Sequence, residues 1–546
     1  MALAIGSAAA ACSASSDGDG FGGGASVEST AANSGAGGLT FDGGSGGGTG
    51  TGGFIGDPKT CDEAKQAKTY IGCDFWPTVV GNNVWSMFDF AVAVANAGDE
   101  AADVTVTRGG NMVASAQIPP NELRYLYLPW VSDLKGPDAD NCGQAVPIAA
   151  TVKSAGGAYH LVSTLPVTVY QFNALEYKGA GGPSGKSWAG CPGDSVCPLY
   201  GLAVGCFSFS NDASLLFPST GMTGNYRVTG QKGWQTANIG SYVAVTGTAD
   251  ATNVTVYLSP TGQIIAGGGI PGASGGGTVN FTLNAGDVAE LVGPATADLS
   301  GSLIKADKPV QAIVGMPCEQ SPEGVQACDH IEESVFPAET LGQHYFVTVP
   351  TGPNAVPVGH VVRIYGNVDG TSLTYPSGAP PGGPKSLNAG QVVDLGQVSK
   401  DFEIQGDKAF AVASFSLGAE LVDPGQVAPN QKGDPDQSLA TAVEQYRTKY
   451  IFLAPADYDV SFVDVIQPMD AQVTVDGAAA SAMPSPIGSG FGIARVKLGP
   501  GNDGAHVLEA TKAVGIQVMG YGAYTSYQYP GGLNLTAIAP PPEIPK

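Results

Sequence analysis

Asp329, His330, Glu332 and Glu333 form the densest set of chemically capable side chains, within the run CDHIEES at residues 328–334. An imidazole beside carboxylates can hold a metal or move protons. Either task needs partners at suitable spacing, and no second His or Cys ligand is offered; Cys328 is better used in a disulfide. The plainer expectation is a polar junction whose carboxylates cap turns and face solvent. The other histidines, His160, His344, His360 and His506, are scattered along the chain. G-x-S-x-G occurs only inside Gly-rich runs, at 43–47 and 272–276, with no helix-forming stretch after it to make a nucleophile elbow, and H-E-x-x-H is absent; a triad assembled in space leaves no local signature. No catalytic, cofactor-binding or metal-ligating residue is assigned, and the chain is read as a non-enzyme.

Residues 180–187 read AGGPSGKS, which satisfies a relaxed nucleotide-loop pattern. Phosphate binding there requires a strand before the loop and a helix after it, whose N-terminus meets the anion. The next residues are Trp-Ala-Gly-Cys-Pro, which cannot start a useful helix. No nucleotide partner is expected.

Of nine cysteines, eight lie between residues 61 and 328. Cys61 is expected to pair with Cys73, and Cys318 with Cys328, because short loops lose little entropy on closing. Cys142, Cys191, Cys197 and Cys206 are expected to pair among themselves, in an order that spacing leaves open. An even disulfide set points to an exported protein. The ninth, Cys12, ends the apolar run MALAIGSAAAAC. Ala9-Ala10-Ala11-Cys12 resembles the end of a bacterial lipoprotein signal, although Ala9 replaces the usual Leu and no Lys or Arg precedes the run. Lipidation at Cys12 is the expectation. Residues 13–57, rich in Gly and Ser, read as a disordered tether unable to bury enough apolar surface to fold.

These residues need a scaffold, and composition describes it. The chain has 546 residues, 80 of them Gly and 39 Pro, with 13% charged residues and 43% apolar ones. Such a mixture suits many short strands joined by Gly and Pro turns. The net charge of −24, without any basic run, argues against nucleic acid and against direct binding to anionic membrane. A membrane is reached by the lipid anchor only.

From residue 58 a pattern recurs about four times. Each copy opens near a Tyr: Tyr70, Tyr226, Tyr345 and Tyr450. A strand pair comes next, as in YVAVTGTADATNVTVYL and VVRIYGNVDGTSLTY, with period-two alternation. Each copy closes on a segment such as IKADKPVQAIVG or EIQGDKAFAVASF. The fold class is therefore all-β, with tandem antiparallel sandwich-like modules over 58–210, 211–330, 331–436 and 437–533 and a Pro-rich tail over 534–546. The first module carries a Cys-rich insertion at 173–210, with Trp188. That loop and the Gly-rich stretch 261–278 differ most between copies, and are the candidate recognition loops.

The segments NDASLLFPSTGMTGNYRV and CDHIEESVFPAETLGQHYFV, with GCDFWPTVVGN and IKADKPVQAIVG, resemble the bacterial branch of the IgGFc-binding protein N-terminal domain family. The resemblance covers most of residues 60–530 and implies a surface lipoprotein with a binding role. It carries over no Fc-contacting residue. The reading is a lipid-anchored cell-surface or outer-membrane β-repeat protein that binds or adheres to a protein or glycan. A structural spacer of an envelope assembly, or an exported hydrolase, are the alternatives. A concave patch of exposed aromatics on one module, with Trp85, Trp130, Trp188 and Trp234 as the candidates, would favour binding, and uniformly buried tryptophans a spacer.

Overall fold

Val254 and Val256 in the strand Thr252–Tyr257 are buried while Asn253 is exposed, as period-two alternation dictates for a strand with one face on a core. The computed structural model describes residues 57–546 except 97, 428–429, 481 and 502–503. Cys12, the rest of 1–12 and the tether up to residue 56 lie outside the described residues. Within them the chain is almost entirely antiparallel β-structure. The Cys61–Ala67 segment forms a short helix, held by a capping box between Thr60 and Glu63. No helix among the described residues is long and apolar enough to cross a membrane.

In the second copy a five-stranded and a four-stranded sheet enclose Val243, Val245, Val254, Val256 and Ile304. In the third, two four-stranded sheets enclose Val362, Ile364, Phe402, Ile404 and Val412. These are sandwiches, with two inner faces supplying the core. The first and fourth copies merge their strands into single sheets of seven and eight. In the second copy the Asp307 carboxylate accepts the backbone N–H of Asn253 at 2.9 Å, and in the third Asp407 accepts that of Ser372 at 2.7 Å, ending one strand before the next begins. At the equivalent point of the first and fourth copies Thr164 and Thr511 accept from Asp103 N at 2.9 Å and Gln472 N at 3.0 Å, and one long strand runs through.

Eight strands build the centre. β1 (His160–Phe172) pairs with β2 (Ala213–Leu216), and β3 (Val310–Glu319) with β4 (Asp329–Ser334). β5 (Phe410–Ser416) pairs with β6 (Gln437–Leu439), and β7 (Ala505–Gly522) with β8 (Thr525–Pro530). β2 packs against β4, β4 against β6, β6 against β8, and β8 back against β2. The copies thus close into a ring around one shared cluster that includes Phe172, Leu215, Ile331, Phe415, Leu439 and Tyr527. Burying each such side chain contributes roughly 1.5–3 kcal/mol.

Every residue of β3, the strand that closes the second copy, is buried. One face meets the sandwich core and the other meets neighbouring copies. The segment boundaries at 210/211 and 436/437 place β2 and β6 with the copy after them, and 330/331 cuts β4. Each of these strands hydrogen-bonds to the closing strand of the copy before it. The residues of 534–546 lie along the second and third copies: Ile538 N donates to Glu339 O at 2.8 Å, and Arg227 donates to Glu543 O.

The repeated tyrosines show why the pattern recurs. The hydroxyl of Tyr226 donates to Val310 O at 2.6 Å and accepts from Thr223 N at 3.2 Å. Tyr345 does the same with Phe410 O and Gly342 N, and Tyr450 with Val514 O and Arg447 N. Each locks the opening of its copy to the same point of its closing strand. Tyr70 departs from this pattern. Its hydroxyl accepts from Ile451 N at 2.9 Å, in the fourth copy, so the first copy closes the ring.

Candidate binding site

The carboxylate–imidazole run lies on β4, and Asp329, His330, Glu332 and Glu333 are all fully buried. They neither cap turns nor face solvent, because β4 is one of the four ring strands. Glu332 accepts from Gln171 Nε2 at 3.2 Å and from Asn173 Nδ2, and its carboxylate stands 3.2 Å from His330 Nε2. Asp329 accepts the backbone N–H groups of Asn211 and His330. Asp212 accepts from Ala213 N at 2.8 Å, Glu332 N at 3.0 Å and Gln437 N at 3.1 Å, so one carboxyl ties β2, β4 and β6 together.

Burial pushes the Asp212, Asp329 and Glu333 carboxyls well above the usual range; Asp436 adds repulsion at Asp212, and Asp434 at Asp329. Asp436 itself is pushed up to about 6, mainly by burial. The run is a buried polar joint inside the ring, closed to solvent. Among the described residues no cluster of His, Cys, Asp and Glu has the geometry to hold a metal ion.

The accessible candidate lies on the loops that lead into the ring strands. The structure pairs Cys142 with Cys197 and Cys191 with Cys206, and these bridges brace the 173–210 insertion. Cys61 pairs with Cys73, and Cys318 with Cys328. The insertion has a small core of its own, in which Trp85, Phe88 and Val204 pack on the cystines. Its outer edge bears Val196, Leu199 and Leu202, exposed by 63%, 67% and 38%. Beside this crest opens a cavity of about 320 Å³ lined by Tyr200 and Phe209 from the first copy, Trp234 from the second, and Tyr524 from the fourth. Gln144 and Gln326 add amides to its wall, and Gln144 Nε2 donates to the Tyr200 hydroxyl at 3.3 Å. Rigid aromatic rings with a few polar groups are what a recognition pocket needs.

The residues singled out by sequence distribute unevenly. Trp188 is turned onto Phe88, with ring centroids 4.9 Å apart, and its indole N–H donates to Gly181 O; it does not line the cavity. Trp85 is buried, and Trp130 donates to Phe88 O at 2.7 Å. Only Trp234 of the four reaches the cavity. Lys186 of the AGGPSGKS loop is committed to Asp89 and to Met87 O. The Gly-rich stretch 261–278 is clamped to the first copy: a Cβ on Gly267 would lie 2.0 Å from Thr151 O, an approach only glycine permits. Phe209 lies within the insertion 173–210 singled out by sequence, whereas Tyr524, Gln144 and Gln326 sit singly outside it and carry no sequence signal.

A sequence profile described as IgGFc binding protein matches residues 212–520. The chain belongs to this family. It is 26% identical over 349 residues to the human protein named IgGFc-binding protein, an overlap of 62% of this chain and 6% of the human one. The chain therefore spans a small part of that relative. No solved structure matches it.

Proposed function

We propose that the chain is a non-catalytic binding module that captures a protein partner on the loop face around Trp234. The observation that carries this is the crest of Val196, Leu199 and Leu202, held out by two disulfides beside an aromatic cavity. Exposed apolar groups on a rigid rim mark interaction sites, and aromatic-lined centres supply most binding energy. The name of the human relative makes the Fc part of IgG the first partner to test. Display is the second half of the reading: a lipid on Cys12 and the Gly-rich tether would hold the ring at the cell surface or outer membrane, in an adhesive role.

Surface plasmon resonance with purified Fc over the full chain, wild type and Val196→Ser/Leu199→Ser/Leu202→Ser, tests it. The expected result is Fc binding by the wild type and a loss of about tenfold or more in the triple variant. Equal binding by both removes the crest from the reading, and silence from both removes Fc.

A further inference from the structure

A second cavity, about 460 Å³, opens on the other side of Trp234, which together with Gln320 lines both spaces. Their chemistries differ. The first has no carboxylate or cationic side chain in its lining. The second is lined by Glu319, Glu323 and Asp394 against the single cation Lys232. Nearby Arg363 is already committed, to Asp298, to Gly230 O and to Ser300, with Asp394 3.7 Å from its Nε. Asp394 also accepts from Gly396 N, and Glu323 accepts from Thr236 at 2.7 Å. Glu319 is only 6% exposed.

We propose that the two cavities form one bipartite site for a protein segment that presents an aromatic or branched apolar side chain within a few residues of a Lys or Arg. This rests on the reading of the face as protein-binding. The apolar side chain fills the uncharged cavity around Trp234 and Phe209, where ring stacking adds to burial. The cation enters beside Glu319 and Glu323, where charge-assisted hydrogen bonds are the strong ones. Charge complementarity selects this occupant. A chain of net charge −24 repels acidic segments, and a neutral ligand leaves the second cavity unused.

The chemistry of Glu319 adds a signature. Burial pushes its carboxyl well up, against the pull of Arg363 and Lys232 and with Glu323 and Asp394 adding repulsion. An arriving cation favours the ionised form, so the complex releases a proton and tightens as pH rises. Glu319→Gln should lose that pH dependence.

Isothermal titration of the full chain with four peptides tests the proposal: acetyl-Trp-Gly-Arg-amide, the same with citrulline or Glu for Arg, and the same with Gly for Trp. One spacing glycine keeps both side chains on one face of an extended chain, about 7 Å apart. The expected result is that the Trp–Arg peptide binds most tightly and each replacement loses about tenfold. Glu323→Gln should abolish the preference for Arg over citrulline while keeping that for Trp over Gly. Equal binding of all four peptides, or no binding of any, overturns the proposal. Fc capture sensitive to the Val196/Leu199/Leu202 crest would survive either failure, so the two readings fall separately.

Discussion

Glu290 offers a direct measurement of how the ring holds protons. It lies on the strand Val288–Val292, opposite Ala244 on one side and Val152 on the other, and is fully buried. One carboxyl oxygen accepts from Gly81 N at 2.7 Å, which pins the first copy to the second. The other oxygen has no partner among the described residues. Burial raises its pKa from 4.5 to about 8, with the Gly81 bond opposing.

Because the folded value lies above the unfolded one, the stabilisation is complete below about pH 4.5 and is lost as pH rises through about 8. At ~1.4 kcal/mol per pH unit, the loss approaches ~5 kcal/mol. Glu290→Gln keeps the acceptor for Gly81 and removes the titration. Urea unfolding followed by tryptophan fluorescence from pH 5 to 9 should show the two proteins within ~1 kcal/mol at pH 5 and the variant more stable by ~3–5 kcal/mol at pH 8–9. Other buried carboxyls are common to both proteins and cancel in the difference. A gap that does not change with pH, or a wild type that is the more stable at pH 9, would refute the argument.

The ring joint and the anchor can be tested separately. Asp212→Ala leaves the N–H groups of Glu332 and Gln437 without their shared acceptor, and should lower stability by ~2–6 kcal/mol by the same urea assay; a loss under ~0.5 kcal/mol would show that Asp212 does not join the strands. Cys12 is expected to carry acyl chains. A clickable fatty acid should label the chain, expressed behind a working export signal, and fail to label Cys12→Ala; equal labelling rules the anchor out.

The sequence alone determined what is local or repeated. Alternating Val and Thr, the turn residues and the recurrent Tyr specify strands whatever surrounds them, and Thr60 with Glu63 specifies a helix start. Those signals act over a few residues. They could not show that the copies close into a ring, because closure depends on contacts such as Tyr70 with Ile451, 381 residues apart. For the same reason CDHIEES was legible as chemistry but not as location. Its carboxyls became a buried joint only when β4 was enclosed by β2 and β6, where the loss of solvent pushes the Asp329 and Glu333 carboxyls well above the usual range. The loop face was half legible: the Cys-rich insertion stood out by composition, but Trp188, its conspicuous ring, is spent on Phe88. Trp234, Tyr524 and Phe209 meet in space alone, because ring closure brings the turns of different copies to one end.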